Sequence, residues 1–548
     1  MPFSRRTFLT GMALGLSSPY WLPRPSLAAP RGGTSFQPSW DSLQSYETPS
    51  WFRDAKFGIW AHWSAQCVPE QGDWYARSMY MQGMPQYEYH CRTYGHPSKF
   101  GFMEINNLWK AEHWDPSDLM RLYKDAGAKY FVALANHHDN FDNYDSTHHA
   151  WNSVKVGPRR DIVDGWAKAA REHGLRFGVS NHSAHAWHWF QTAYGYDGEG
   201  PLQGVRYDAA RLTKADGRGK WWEGLDPQEL YGSPQMVIPD GIRGAAAVEQ
   251  WHEQHDRIWT EDPPAHDPEF VRRWSLRCRE LLDKYKPDLL YFDNTGLPLG
   301  QAGLDIAAYY YNANRQWHGG QLEAVLTAKK LTPGQKHALV DDIERGDSDA
   351  IRALPWQTDT CIGDWHYSRT LFEQHRYKSA ASVIGRLCDI VSKNGNLLLS
   401  IPLRGDGTID SDERRFLEEL AAWMKINGEA IFGTRPWRVF GEGPTKVAGG
   451  HFGEASAAAF TADDVRFTSK GGALFAIALG RPATSRITLK SLASHVTGSV
   501  ERVEMLGSQA PLRFKRDAKG LTLELPQDMH GEHAVAFKIM GRGLTDAT

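Results

Sequence analysis

Cysteine is scarce in this sequence. The five residues among 548, at Cys67, Cys91, Cys278, Cys361 and Cys388, have no CxxC spacing. That excludes a disulfide framework and a cysteine-bound zinc site, and leaves these thiols as small buried hydrophobes. Net charge is also low: 62 Lys and Arg against 65 Asp and Glu leave a formal charge of -3. Such a balance offers no basic field for nucleic acid. Internal repeats and low-complexity runs are lacking too. The apolar run from Gly11 to Leu16 is too short to span a bilayer. Preceded by Ser4-Arg-Arg-Thr-Phe-Leu9 and followed by Ser26-Leu-Ala-Ala29, it matches a twin-arginine export signal. Residues 1–28 are therefore expected to be removed, giving a periplasmic or secreted protein with no membrane contact in its mature form.

What the sequence has in quantity is tryptophan: 22 residues, within an aromatic content of 12%. The indole N–H needs a partner when buried, so this abundance points to open aromatic surfaces as well as to core. Flat, weakly polar faces suit sugar rings, which present C–H groups on one side and hydroxyls at the edge.

A chain of this length exceeds one core, and two domains are expected. After a linker over residues 29–48, apolar runs alternate with helical stripes. Strands are predicted at 56–63, 129–136, 175–180, 289–292, 324–327, 338–340, 358–362 and 396–401, with helices at 114–126, 161–173, 268–285, 380–392 and 411–427. Repeated β-then-α order near eight units predicts a (β/α)8-like TIM barrel over 49–435. The pattern fails at about 191–265, where Gly, Asp, Pro and Trp dominate. An insertion of that size is read as a long loop region over one face that shapes a substrate site. From 436 to 548, six short strand-like runs separated by turn residues predict a C-terminal β-sandwich.

In a parallel barrel, the carboxyl ends of the strands face the active-site mouth. Four polar clusters fall there: Ala61-His-Trp63, Asn136-His-His-Asp139, Ser180-Asn-His182 and Asp293, the last closing the buried run from Asp288. Polar residues recurring at one position of successive strands define a shared pocket.

These residues and their neighbours resemble a known family, the α-L-fucosidases of glycoside hydrolase family 29. The resemblance rests on Trp51-Phe-Arg-Asp-Ala-Lys-Phe-Gly-Ile-Trp-Ala-His-Trp63, Asp73-Trp-Tyr75, Asp125-Ala-Gly-Ala-Lys-Tyr130, His137-His-Asp139, Pro158-Arg-Arg-Asp161, Tyr291-Phe-Asp293, Ser392-Lys-Asn-Gly-Asn-Leu-Leu-Leu399, Gly405-Asp-Gly-Thr408 and Asn427-Gly-Glu-Ala-Ile-Phe-Gly433. It covers about 50–437 and implies an exo-acting retaining α-L-fucosidase that needs no cofactor and no metal. Its partner would be a fucosylated oligosaccharide or glycoconjugate. Asp293 is implied as nucleophile, with a second carboxyl as acid/base. His62, His137 and His138 are implied as hydrogen-bonding partners of the sugar hydroxyls, with Trp74 and Trp63 as candidates for its apolar face. Lys329 stands where a family arginine meets the substrate. The acid/base is expected in Ala338-Leu-Val-Asp-Asp-Ile-Glu-Arg-Gly346, with Glu344 first and Asp342 and Asp341 as alternatives.

The chain departs from the family pattern at Asp73, where relatives often have Glu, and at Ser180-Asn181, followed by His182, where relatives carry tyrosines. It also has Tyr291 where a Trp often precedes the nucleophile. A pocket altered at these points accommodates either fucose or L-galactose, which adds one hydroxyl, so α-L-galactosidase is the alternative activity. Two further readings are a metal-dependent barrel hydrolase and a non-catalytic sugar-binding protein. Adjacent residues of a strand point to opposite sides, so His137 and His138 should not share one ion. A binding protein has no need of both Asp293 and Glu344.

Overall fold

The computed structural model describes residues 35–496, 498–508, 510–527 and 533–545, so the expected export signal lies outside the described residues. Eight parallel strands close into a barrel in sequence order: β1 (Phe57–Ala61), β2 (Tyr130–Asn136), β3 (Arg176–Asn181), β4 (Leu289–Thr295), β5 (Val325–Lys329), β6 (Val340–Asp342), β7 (Trp356–Cys361) and β8 (Gly395–Ser400). β8 pairs back to β1, placing Phe57 beside Leu397. Each strand overlaps a run predicted from sequence. Nearly every residue in them is buried, as expected for a parallel sheet covered on both faces. Gly58 shows how tightly the barrel is filled, because a Cβ there would lie 2.3 Å from the Tyr130 ring. That ring plugs the bottom of the barrel, its hydroxyl donating to Gln357 Oε1 at 3.0 Å.

The outer helices begin where their caps dictate. Asp115 and Asp161 accept first-turn amide hydrogens for the helices Pro116–Asp125 and Ile162–Glu172. One long helix, Gln301–Trp317, was not expected from the sequence. It starts after Gly300 without a side-chain cap and carries Tyr309, Tyr310 and Tyr311, residues that favour strands in isolation. Part of the expected linker is folded against it. Phe36 and Tyr46 are buried, their ring centroids 5.1 and 4.8 Å from that of Tyr311.

The region expected to be a long loop after β3 is instead largely folded. It contains the helix Ala245–His255 and several single-turn helices. Buried carboxylates anchor it: Asp256 pairs with Arg77 at 2.6 Å, and Asp208 accepts from the hydroxyls of Tyr80, at 2.8 Å, and Tyr231. These side-chain bonds follow no helical or strand period, which is why the sequence pattern dissolves there.

The C-terminal strands are β9 (Arg435–Glu442), β10 (Val465–Lys470), β11 (Ala473–Ala478), β12 (Arg486–Leu489), β13 (Arg502–Met505), β14 (Phe514–Asp517), β15 (Gly520–Glu524) and β16 (Val535–Met540). They form a five-stranded sheet, β13-β16-β11-β10-β9, and a three-stranded sheet, β12-β15-β14. Phe467, Leu474 and Phe537 from one meet Leu489, Leu521 and Leu523 from the other in a shared core. β9 and β14 were not among the expected strands: β9 has a proline as its second residue and is half-buried, and β14 is the charged edge sequence Phe-Lys-Arg-Asp. The sandwich is fixed to the barrel's last helices. Arg466 pairs with Asp389 at 2.5 Å, both buried, and the Trp423 indole donates to the Ala534 carbonyl at 2.7 Å. Among the described residues, no helix is long and apolar enough to cross a membrane.

Candidate active site

A cavity of about 660 Å³ opens at the carboxyl ends of the barrel strands, a size suited to a small ligand. Asp293, on β4, projects into it as expected and is almost buried. A carboxylate there must be compensated, and Asp293 is compensated on both oxygens. Its Oδ1 accepts from the Lys329 ammonium on β5, while Oδ2 lies 3.1 Å from His138 Nε2 and 3.2 Å from His182 Nδ1. Burial alone would push the Asp293 carboxyl up. The Lys329 charge and the two imidazoles reverse that and hold it well below the usual carboxylate range.

Lys329 also reaches across to Glu344, its Nζ 2.6 Å from Oε2. One ammonium bonded to two carboxyls limits their nearest oxygens to no more than about 6 Å apart. The two acids nonetheless have opposite tendencies. Burial raises Glu344 to about 7 despite the lowering effect of Lys329, with Asp359 and Asp293 pushing in the same direction as burial. A pair of carboxyls with diverging pKa values is the signature of one ionised and one protonated partner.

Below this pair lies a second acidic couple. Asp359, on β7, lines the cavity and accepts from the Tyr291 hydroxyl at 2.8 Å. Its neighbour Asp342 is held well above the ordinary range by burial and by Asp359 itself. Asp342 lies under the cavity rather than on it and bonds Gln357 at 2.8 Å. Asp341 points away, paired with Arg352 at 2.6 Å and Lys336 at 3.1 Å. Of the three acidic candidates in that segment, only Glu344 lines the cavity.

Four buried histidines line the opposite side: His62, His137, His138 and His182. Burial and the mutual repulsion of neighbouring imidazoles push His62 and His137 well below their ordinary values, and burial takes His182 to about 4. They are neutral near pH 7, able to donate from one nitrogen and accept at the other. Second partners orient the rings: His62 Nδ1 is 3.1 Å from Ser400 Oγ, and His137 Nδ1 is 3.1 Å from the Gln66 amide nitrogen. His138 differs, because its Nδ1 is 2.8 Å from the His182 carbonyl while Nε2 faces Asp293. Both neighbours are acceptors, so only a doubly protonated ring satisfies both. Burial lowers His138 against that demand, and Asp293 partly offsets it.

Among the described residues, two groups of side chains are compact enough to hold a metal ion: His62 with His137 and His182, and His138 with His182 and Asp293. His137 and His138 fall in different groups, although both line the cavity because they follow the last residue of β2.

Asp73 and Trp74 also reach the cavity. Asp73 Oδ1 accepts from the His366 amide at 2.8 Å, and Trp74 holds a left-handed backbone with φ of 59°. Such strain in a non-glycine residue gathers at functional sites. Trp63 does not line the cavity. It is 1% exposed, packed edge-on to Trp109 and against Trp114 behind the barrel wall, its indole donating to the Arg404 carbonyl at 2.8 Å. With His62 turned into the mouth, its chain neighbour turns outward.

Several lining residues were not identified from the sequence: Trp60, Asp359, Trp365 and Arg345 from the barrel, Trp259 from the insertion, and His451 and Phe452 from beyond β9. Asp359 was detectable as an acid inside a barrel strand. For His451 and Phe452, no local pattern connects them to residues a hundred positions earlier.

The sequence profile described as Alpha-L-fucosidase matches residues 27–429, and that of the Alpha-L-fucosidase C-terminal domain matches 459–540. The chain is 28% identical to the tissue alpha-L-fucosidase of Homo sapiens over 501 residues, covering 90% of this chain and 88% of that one. It is 25% identical over 512 residues to the plasma alpha-L-fucosidase of Homo sapiens, covering 90% and 89%. Among solved structures, it is similar to the Thermotoga maritima alpha-fucosidase in complex with fucose, with a TM-score of 0.67 and 27% identity over 92% of this chain and 100% of that one. With three-quarters of its length matched by one family profile and the rest of its fold by the companion profile, the chain belongs to the alpha-L-fucosidase family, glycoside hydrolase family 29.

Proposed function

We propose that the protein is an exo-acting retaining α-L-fucosidase that removes terminal α-L-fucosyl residues by double displacement. The observation that carries this reading is the Lys329 bridge between Asp293 and Glu344. Retaining glycosidases hold their carboxyls about 5 to 5.5 Å apart, whereas inverting ones leave about 6.5 to 9.5 Å for a water. A single shared ammonium supports the shorter spacing.

In the first step, the ionised Asp293 attacks the anomeric carbon while the Glu344 carboxyl gives its proton to the glycosidic oxygen. The leaving group departs as an alcohol and the sugar becomes an ester of Asp293. In the second step, the Glu344 carboxylate takes a proton from water, whose oxygen attacks the same carbon and releases Asp293. Two inversions give net retention. The depressed Asp293 and the elevated Glu344, at about 7, suit these roles at neutral pH. The neutral histidines supply hydrogen-bonding groups for the sugar hydroxyls, and Trp74 supports its apolar face. The paired arginines and short apolar run near the amino terminus support export to the periplasm or medium.

Hydrolysis of aryl α-L-fucoside and aryl α-L-galactoside, with the first-formed anomer followed by proton NMR, tests this reading. The expected result is faster turnover of the fucoside with α-L-fucose formed first. Release of β-L-fucose first would overturn the retaining mechanism, and preference for the galactoside would overturn the substrate.

A further inference from the structure

The strand β9 is followed by a segment that leaves the sandwich and returns to the barrel mouth. There it binds the backbone around Glu344. The Gly450 amide donates to the Asp347 carbonyl at 2.9 Å and the Asp347 amide to Gly450 at 3.2 Å. Phe452 donates to the Glu344 carbonyl at 2.8 Å, and Glu454 to Arg345 at 2.9 Å. Approach is so close that a Cβ on Gly346 would lie 1.9 Å from the Gly450 carbonyl oxygen. Ion pairs of Glu454 with Lys378 at 2.5 Å and with Arg386 fasten the far end.

Two side chains of this segment enter the cavity beside Glu344. The Glu344 amide donates to His451 Nδ1 at 3.1 Å, so that nitrogen carries the lone pair and the ring hydrogen sits on Nε2. His451 therefore has one N–H donor left to offer. Phe452 is 57% exposed, the most exposed of the protein's large hydrophobic side chains among the described residues, and its φ is +58°. An aromatic residue in the left-handed region is strained, and a ring left in water gains nothing from burial. Both costs are borne at one position, next to the carboxyl that serves the departing oxygen.

We propose that His451 and Phe452 form the leaving-group subsite and that the group they receive is itself a sugar. The Phe452 ring covers the C–H face of that sugar, and His451 Nε2 donates to one of its hydroxyls. This rests on Glu344 being the acid/base, since the leaving group lies on that carboxyl's side.

The test compares kcat/KM for α-L-fucosyl fluoride, whose leaving group is a single atom, with that for the best-cleaved member of a panel of α-L-fucosyl-(1→2), (1→3), (1→4) and (1→6) disaccharides. In Phe452→Gly, which removes the ring and relieves the backbone, the disaccharide-to-fluoride ratio is expected to fall about tenfold or more, and Phe452→Trp to restore it. An unchanged ratio in Phe452→Gly would overturn the subsite, as would equal loss on both substrates, which would indicate a role in positioning Glu344. Wild-type turnover of the fluoride but of no disaccharide would refute the sugar leaving group alone, whereas turnover of neither would remove the fucosidase reading beneath it.

Discussion

The barrel mouth divides into a neutral half and a charged half. The ends of β1 to β3 contribute His62, His137, His138 and His182, while β4 to β7 contribute Asp293, Lys329, Glu344 and Asp359, with Asp342 beneath them. Burial acts on both halves, and the response differs. An imidazole escapes the cost of desolvation by giving up its proton, and burial drives His62, His137 and His182 that way, His182 even with Asp293 3.2 Å away. The acids share one ammonium, so some remain charged and others take up protons. In the proposed reading, the first half holds the sugar and the second performs chemistry on it, with His138 and His182 at the boundary because both approach Asp293.

The largest effect should come from the charged half. Asp293→Ala is expected to lower kcat/KM for aryl α-L-fucoside by at least about 10⁴-fold, against about 10- to 100-fold for His62→Ala, seen mainly in KM. Comparable losses in steady-state kinetics would erase the division. Next, Glu344→Gln should cost about 10²- to 10⁴-fold on poor leaving groups. The wild-type profile of kcat/KM should fall as pH rises through about 7, where Glu344 loses the proton it must donate, and should hold on the acid side well below the usual carboxylate range, because Asp293 stays ionised there. Glu344→Gln should abolish the alkaline limb, and a limb that survives would belong to another group.

Lys329→Met sharpens the comparison further. Lys329 lowers both Asp293 and Glu344, so its removal should move both limbs to higher pH, with a loss of about 10-fold or more near neutrality. His62→Ala should move neither limb appreciably, and a pH–rate profile of each variant decides the point. The smallest effect is expected at Trp63→Phe. Kinetic constants should stay at wild-type values while thermal unfolding reports a loss of about 1 kcal/mol, the indole bond to the Arg404 carbonyl. A raised KM would return Trp63 to the sugar site.

Much of this arrangement was legible in the sequence because a parallel barrel writes its strands as unbroken apolar runs. The polar residue ending each run then marks the mouth, as Asp293 does. Trp63 adjoins His62 within the same motif, but alternation along an extended chain turns the two to opposite sides, and Trp63 packs behind the barrel wall. Asp359 went unnoticed inside Trp-Gln-Thr-Asp-Thr-Cys, a strand whose polarity reads as an exposed edge until its burial is known. The insertion's helices were hidden because buried carboxylates and tyrosine hydroxyls, rather than an apolar stripe, hold them in place. The segment carrying His451 and Phe452 is defined by backbone hydrogen bonds, which leave no trace in residue type.

The hydrogen bond between His62 and Ser400 joins residues 338 positions apart, at the seam where β1 meets β8. At ribosomal speeds of roughly 5–20 residues per second, tens of seconds separate the synthesis of its two ends. Until the second arrives, β1 has an unpaired edge and the histidine it carries has no orienting partner. Folding of this enzyme is thus a late event with a high entropic threshold, and the sugar site is among the last features to form.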